Sequence, residues 1–143
     1  MVDVRLDHIG IAVDSIAQGK KVYEILGLVS THEETVKSEK VKTSFLPFTN
    51  DCTLELLEAN DKESPVAKFI EKRGPGIHHI CFRVKNIREV LARLKKAGIQ
   101  LINEEPKIGA HDMWVAFIHP KSTGGVLIEL SEPRGDSKSH ATR

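Results

Sequence analysis

Four side chains able to hold a metal ion stand at matched positions in two copies of one sequence pattern. The stretch Leu6-Asp7-His8-Ile9-Gly10-Ile11-Ala12-Val13 returns 71 residues later as Ile77-His78-His79-Ile80-Cys81-Phe82-Arg83-Val84, with His79 in the place of His8. Leu54-Glu55-Leu56 returns as Ile128-Glu129-Leu130 at an offset of 74. Neutral imidazole and ionised carboxylate together suit a borderline divalent cation such as Co²⁺, Ni²⁺, Zn²⁺, Mn²⁺ or Fe²⁺. Four protein ligands leave an octahedral ion with open positions, and such an ion is a Lewis acid able to stabilise an enolate oxygen. A glutamate beside it could carry a carbon-bound proton. Taken singly, a strand histidine is more often a hydrogen-bonded structural residue, and a strand glutamate is more often solvated. The repeat sets these four apart. If a pseudo-twofold axis relates the halves, His8, Glu55, His79 and Glu129 can meet near it as one metal site.

The surrounding sequence supplies the elements that would position them. Residues 5–13 alternate, with Ile9, Ile11 and Val13 on one strand face and Leu6, His8, Gly10 and Ala12 on the other. The first face suits a covering helix and the second, small and polar around His8, suits a cavity wall. Ser15 with Gln18 reads as a capping box, Ile16, Val22, Tyr23 and Leu26 follow as one helical stripe, and Gly27 is the stop. The second copy repeats this with Asn86 and Glu89, the stripe Ile87, Val90, Leu91 and Leu94, and the stop Gly98. Ile80, Phe82 and Val84 would pack on that helix, leaving His79 and Cys81 on the other face. Strands are expected near 30–36, 41–48 and 53–58, and again near 100–104, 113–118 and 126–131. In the strands that carry them, Glu55 and Glu129 fall on the face away from the helix, because their apolar neighbours take the helix side. Ser64-Pro65 opens a linker helix (about 64–74) that ends at Gly74, before the hinge Pro75-Gly76. The expected fold is α+β: two paired βαβββ modules forming an eight-stranded open cup with helices outside. Module one would span about 4–60 and module two about 76–132 of a single domain, 1–133, with 134–143 a polar, disordered tail.

Composition narrows the class. A chain of 143 residues with formal net charge +1 and alternating signs has no basic stripe for nucleic acid. The two cysteines, Cys52 and Cys81, form no CxxC motif and no disulfide framework, which fits a reducing compartment. No apolar run reaches membrane-spanning length, and the strand pattern begins too close to Met1 for a signal peptide. A cytoplasmic protein with no membrane partner is expected. The remaining candidates carry bland readings. His78 points to the helix side by parity; His111 and His119 are loop histidines; Cys81 is a small packing residue. Lys20-Lys21 and Lys95-Lys96 are solvated helix faces, and Gly124-Gly125 is a turn.

The histidine strands and Val126-Leu127-Ile128-Glu129-Leu130 resemble the vicinal oxygen chelate superfamily. Ser64-Pro65, Lys107-Ile108-Gly109-Ala110-His111, and His119-Pro120-Lys121 leading to Gly124-Gly125-Val126 are similar to the methylmalonyl-CoA epimerases within it. The resemblance covers residues 4–131. It implies a divalent metal (Co²⁺ first, then Ni²⁺, Mn²⁺ or Zn²⁺), a CoA-thioester substrate, a homodimer, and interconversion of the (2R) and (2S) epimers of methylmalonyl-CoA. Mapped here, it makes His8, Glu55, His79 and Glu129 the ligands, with Glu129 one catalytic base and Glu55 the symmetry-favoured second. Some members of the family carry glutamine at the position of Glu55, and some bacterial members place a glutamate base on the third strand of the first half. The matching stretch here, Val41-Lys42-Thr43-Ser44-Phe45, has no carboxylate, and a metal-bound water rivals Glu55 as the second group. Lys107 or Lys121 would meet the 3′-phospho-ADP part of CoA at the rim. Two other readings belong to the same superfamily. One is glyoxalase I, which isomerises a glutathione hemithioacetal and whose metal set can also be two His and two Glu. The other is a metal-free small-molecule-binding protein, which needs no inward His/Glu quartet. Extradiol ring cleavage fits less well, since those enzymes have longer chains.

Overall fold

The structure is a computed structural model that describes residues 3–135. Of the expected tail, residues 136–143 lie outside the described residues. The chain forms two compact units. One, here the first module, spans His8–His78. The other, the second module, joins the residues up to Asp7 with those from His79 onward. The division therefore falls within the two histidine strands, β1 (Arg5–Ala12) and β5 (Gly76–Arg83).

In the first module β1 is followed by α1 (Ile16–Gly19), α2 (Lys21–Leu26), β2 (His32–Val36), β3 (Val41–Pro47), β4 (Thr53–Ala59) and α3 (Pro65–Arg73). The strand order is β2-β3-β4-β1, with β1 parallel to β4 and the other pairs antiparallel. The expected alternation holds. Ile9, Ile11 and Val13 pack with Ile16, Leu46, Leu54, Leu56 and Tyr23 on one face. On the opposite face Ala12, Val41 and Leu57 pack under Val66, Phe69 and Ile70 of α3. The linker helix is thus part of the first module's core rather than a spacer.

The single helix expected after Ser15 is two. Gly19 ends α1 where a Cβ would lie 3.0 Å from the Val13 side chain, a tight contact that glycine avoids as the chain passes close to β1. The break resets the helical phase. Tyr23 packs inward, while Val22, Ile25 and Leu26 are 56, 85 and 72% exposed, which corrects the reading of Val22 and Leu26 as an inward stripe.

In the second module β5 is followed by α4 (Ile87–Lys96), β6 (Lys107–Gly109), β7 (Met113–Ile118) and β8 (Ile128–Pro133), with 3-10 turns at Ala110–Asp112 and Pro120–Ser122. The order is β5-β8-β7-β6, with β5 parallel to β8, so the topology of the first module is repeated. Phe82, Val84, Ile87, Leu91, Leu94 and Leu130 form the helix-side core. The strand expected at 100–104 is absent: Leu101 makes one isolated bridge to Ile118, and the edge strand lies at Lys107–Gly109 instead. The cause is local. The Asn103 side chain accepts a hydrogen bond from Phe117 N (2.9 Å), occupying the donor that a regular ladder would use, and Pro106 brings no N–H.

Both modules close their crossover helices with a glutamate from the last strand. Glu58 of β4 accepts from Ile16 N at the start of α1 (2.7 Å). Glu132 of β8 accepts from Asn86 N (2.7 Å) and Ile87 N (3.0 Å) at the start of α4. Glu58 and Glu132 recur at the 74-residue offset of Glu55 and Glu129. The expected caps are present as well: Ser15 accepts from Gln18 N, and Asn86 accepts from Glu89 N while donating to the Glu89 carboxylate. A carboxylate at a helix start satisfies donors that lack intrahelical partners and complements the positive end of the helix dipole. Glu132→Ala should therefore destabilise the protein by about 1–3 kcal/mol, the scale of losing hydrogen bonds to a charged group. Urea unfolding followed by circular dichroism would measure it, and a change within error of zero would show that the cap carries no weight.

Candidate functional site

In the first module the parallel register sets Gly10 beside Glu55 and His8 beside Thr53, all on the face away from α1 and α2. With no side chain at Gly10, the His8 ring reaches across the strand pair, and its Nδ1 lies 3.3 Å from Glu55 Oε2. Both side chains are nearly buried, at 11 and 15% exposure. A carboxylate in such a place is costly unless a polar partner meets it, and the imidazole is that partner. On the other flank of Glu55 its antiparallel partner is Phe45, whose ring stacks on His32 at 4.4 Å between centroids.

The second module builds the same arrangement. Cys81, the counterpart of Gly10, pairs with Glu129, and Phe117 pairs with Glu129 from the other side. His79 Nε2 lies 3.4 Å from Glu129 Oε1, with side-chain exposures of 10 and 13%. Cys81 is fully buried and its thiol donates to Ser131 Oγ at 3.3 Å, the small packing role expected of it. Lys107 of β6 pairs with Val115 and so shares the face of Phe117 and Glu129. Its Nζ sits 5.9 Å from the centroid of the Phe117 ring.

The structure thus joins the four expected ligands into two imidazole–carboxylate pairs, one per module. Each pair offers one nitrogen and up to two oxygens, a donor set that fits a borderline divalent cation. The same pair can also hold and move a proton. The other histidines do different work. His78 meets Phe69 of α3 edge-on at 5.0 Å, a structural role on a helix. His119 Nδ1 accepts from Lys121 N (3.0 Å) and caps the turn at Pro120–Ser122. His111 holds a left-handed conformation in the turn after β6. Gly124 and Gly125 have positive φ in a turn, as expected.

Phe45 and Phe117 border the candidate site, and the sequence reading passed over them. Each is the strand neighbour of a module's candidate glutamate, and they recur at an offset of 72. That recurrence was the available signal. Among the described residues no helix is long and apolar enough to cross a membrane.

Residues 7–117 match the family described as the Glyoxalase/Bleomycin resistance protein/Dioxygenase superfamily. Over 133 residues the chain is 47% identical to the uncharacterized protein YqjC of Bacillus subtilis (strain 168), covering 92% of this chain and 94% of that one. It is 39% identical over 130 residues to the mitochondrial methylmalonyl-CoA epimerase of Homo sapiens, covering 90% of this chain and 73% of the human protein. Among solved structures, a variant of Streptomyces coelicolor methylmalonyl-CoA epimerase in complex with 2-nitronate-propionyl-CoA matches with a TM-score of 0.83 at 30% identity. The match covers 94% of this chain and 97% of that one. With its duplicated βαβββ topology and a His–Glu pair in each copy, the chain belongs to this superfamily and, within it, to the methylmalonyl-CoA epimerase family.

Proposed function

We propose that the protein is a metal-dependent epimerase that interconverts (2R)- and (2S)-methylmalonyl-CoA by 1,1-proton transfer. The observation that carries this reading is the duplication of the His–Glu pair. Inverting one carbon requires a proton to leave on one face and arrive on the other, so two groups are needed, and the repeat supplies one per module. The similarity to named epimerases supplies the substrate class. The Streptomyces coelicolor relative binds a nitronate, and a nitronate is planar, like the carbanion that a 1,1-proton transfer passes through.

In this reading His8, Glu55, His79 and Glu129 hold one divalent cation, Co²⁺ first, with Ni²⁺, Mn²⁺ and Zn²⁺ as alternatives. A cation so placed supplies positive charge that draws electron density from the malonyl oxygens and makes the C2 proton more acidic. The protein's own groups do the rest. Glu129 takes or delivers the proton on one face of C2, and Glu55 serves the other. Phe45 and Phe117 flank the two carboxylates and keep water from competing for the proton. Thr43 stands on the site face of β3, and the stretch Val41-Lys42-Thr43-Ser44-Phe45 has no carboxylate, so Glu55 is the better candidate for the second base. A cytoplasmic homodimer completes the reading, and dimerisation is one way to cover the exposed Ile25 and Leu26 of α2.

Incubated in D₂O with excess Co²⁺, the protein should exchange the C2 proton of methylmalonyl-CoA for deuterium, and a chelator should stop the exchange. Mass spectrometry reads this directly. No exchange, together with turnover of the methylglyoxal–glutathione hemithioacetal, would overturn the epimerase in favour of a glyoxalase.

The two glutamates should separate by mutation. Glu129→Gln keeps an oxygen able to coordinate but loses the base, and should cost about 10²–10⁴-fold in rate at matched metal content. Glu55→Gln should cost less, since some relatives carry glutamine at that position and a different group can then serve as the second base. Stopped-flow exchange rates normalised to bound metal would test the order, and the reverse order would overturn the assignment of roles.

A further inference from the structure

Among the described residues of the second module, the cations of Arg83 and Lys107 are held differently. Arg83 of β5 is committed to Asp7, with Nη2 2.6 Å from Oδ1. Lys107 has no carboxylate partner among the described residues; its ammonium lies over the Phe117 ring instead. Phe117 is the strand neighbour of Glu129, so Lys107, Phe117 and Glu129 make a diagonal row across three adjacent strands of one face. With strands about 4.8 Å apart and a rise of about 3.3 Å per residue, the Lys107 backbone lies roughly 12 Å from that of Glu129. The lysine stem covers much of that span, leaving the ammonium close to anything seated on Phe117 and presented to Glu129.

We infer that Lys107 binds the free carboxylate of the acyl group and so selects carboxylated acyl-CoA thioesters over plain ones. This rests on the epimerase reading. In a malonyl thioester the carboxylate is bonded directly to the carbon that Glu129 must reach, whereas the CoA phosphates lie beyond the whole pantetheine arm. An ammonium this near the base therefore suits the acyl carboxylate and not the 3′-phospho-ADP. The ring beneath it favours the same role: the aromatic face attracts the cation weakly and orients it without neutralising it, so the charge stays available to an anionic ligand. Lysine, a compact point charge on a flexible stem, can follow the carboxylate as C2 inverts.

Binding discriminates this role from packing. Isothermal titration of Co²⁺-supplied protein would compare malonyl-CoA, propionyl-CoA and coenzyme A. The wild type should prefer malonyl-CoA to propionyl-CoA. Lys107→Met keeps the apolar stem over Phe117 and should shrink that preference by about tenfold or more, the scale of a lost charge-assisted contact. Its affinity for propionyl-CoA and coenzyme A should stay unchanged, and Lys107→Arg should retain most of the preference. Equal weakening toward all three ligands would place Lys107 on the CoA moiety and overturn the inference; an unchanged preference would also overturn it. Absence of C2 exchange in the wild type, with the binding preference intact and lost in Lys107→Met, would instead sink the epimerase reading while leaving the carboxylate contact standing.

Discussion

The whole arrangement depends on the parallel pairing of each module's first strand with its last. Parallel strands cannot be joined by a tight turn, so the chain must cross over through a helix, and that crossover brings Glu55 and Glu129 beside the histidine strands. Register then decides everything local. A slip of one residue would turn each histidine or glutamate to the helix side, where Leu54, Leu56 and Leu130 now lie. The small residues at Gly10 and Cys81 complete the constraint, because a larger side chain beside either glutamate would stand between it and the histidine two residues earlier.

Glu58 and Glu132 fix that pairing from the opposite face. Each sits three residues after the candidate ligand glutamate of its strand and holds the first turn of the crossover helix. One short strand thus does two jobs on its two faces, presenting a carboxylate to the site and anchoring the helix that covers the core. Strand alternation makes this possible, since residues three apart point to opposite sides. The same acidic residue type is a ligand candidate in one position and a helix cap in the other.

Much of this was legible in the sequence because repetition doubles the signal. The faces of β1 and β5, the burial of Glu55 and Glu129, and the caps at Ser15 and Asn86 all follow from alternation and spacing. The misreadings came where one residue overrode the pattern. Gly19 admits a close approach to Val13 that splits a helix and rotates Val22 and Leu26 outward. Asn103 substitutes a side chain for a strand partner and displaces the edge strand to Lys107–Gly109. Phe45 and Phe117 were missed because a phenylalanine in a strand reads as core, and only the register shows which glutamate it borders.

In each module the residues that hold the strand register are different from those that meet in the His–Glu contact. Where ligands come from flexible loops, losing the ion also dissolves the structure. Here each imidazole meets its carboxylate through strand register, and hydrophobic clusters on each module's helix side hold that register. If the protein carries the proposed cation, its loss would silence the site while the helix-side cores keep the fold. The apo form would then be a dormant reserve, recharged by the next available cation instead of being rebuilt from an unfolded chain.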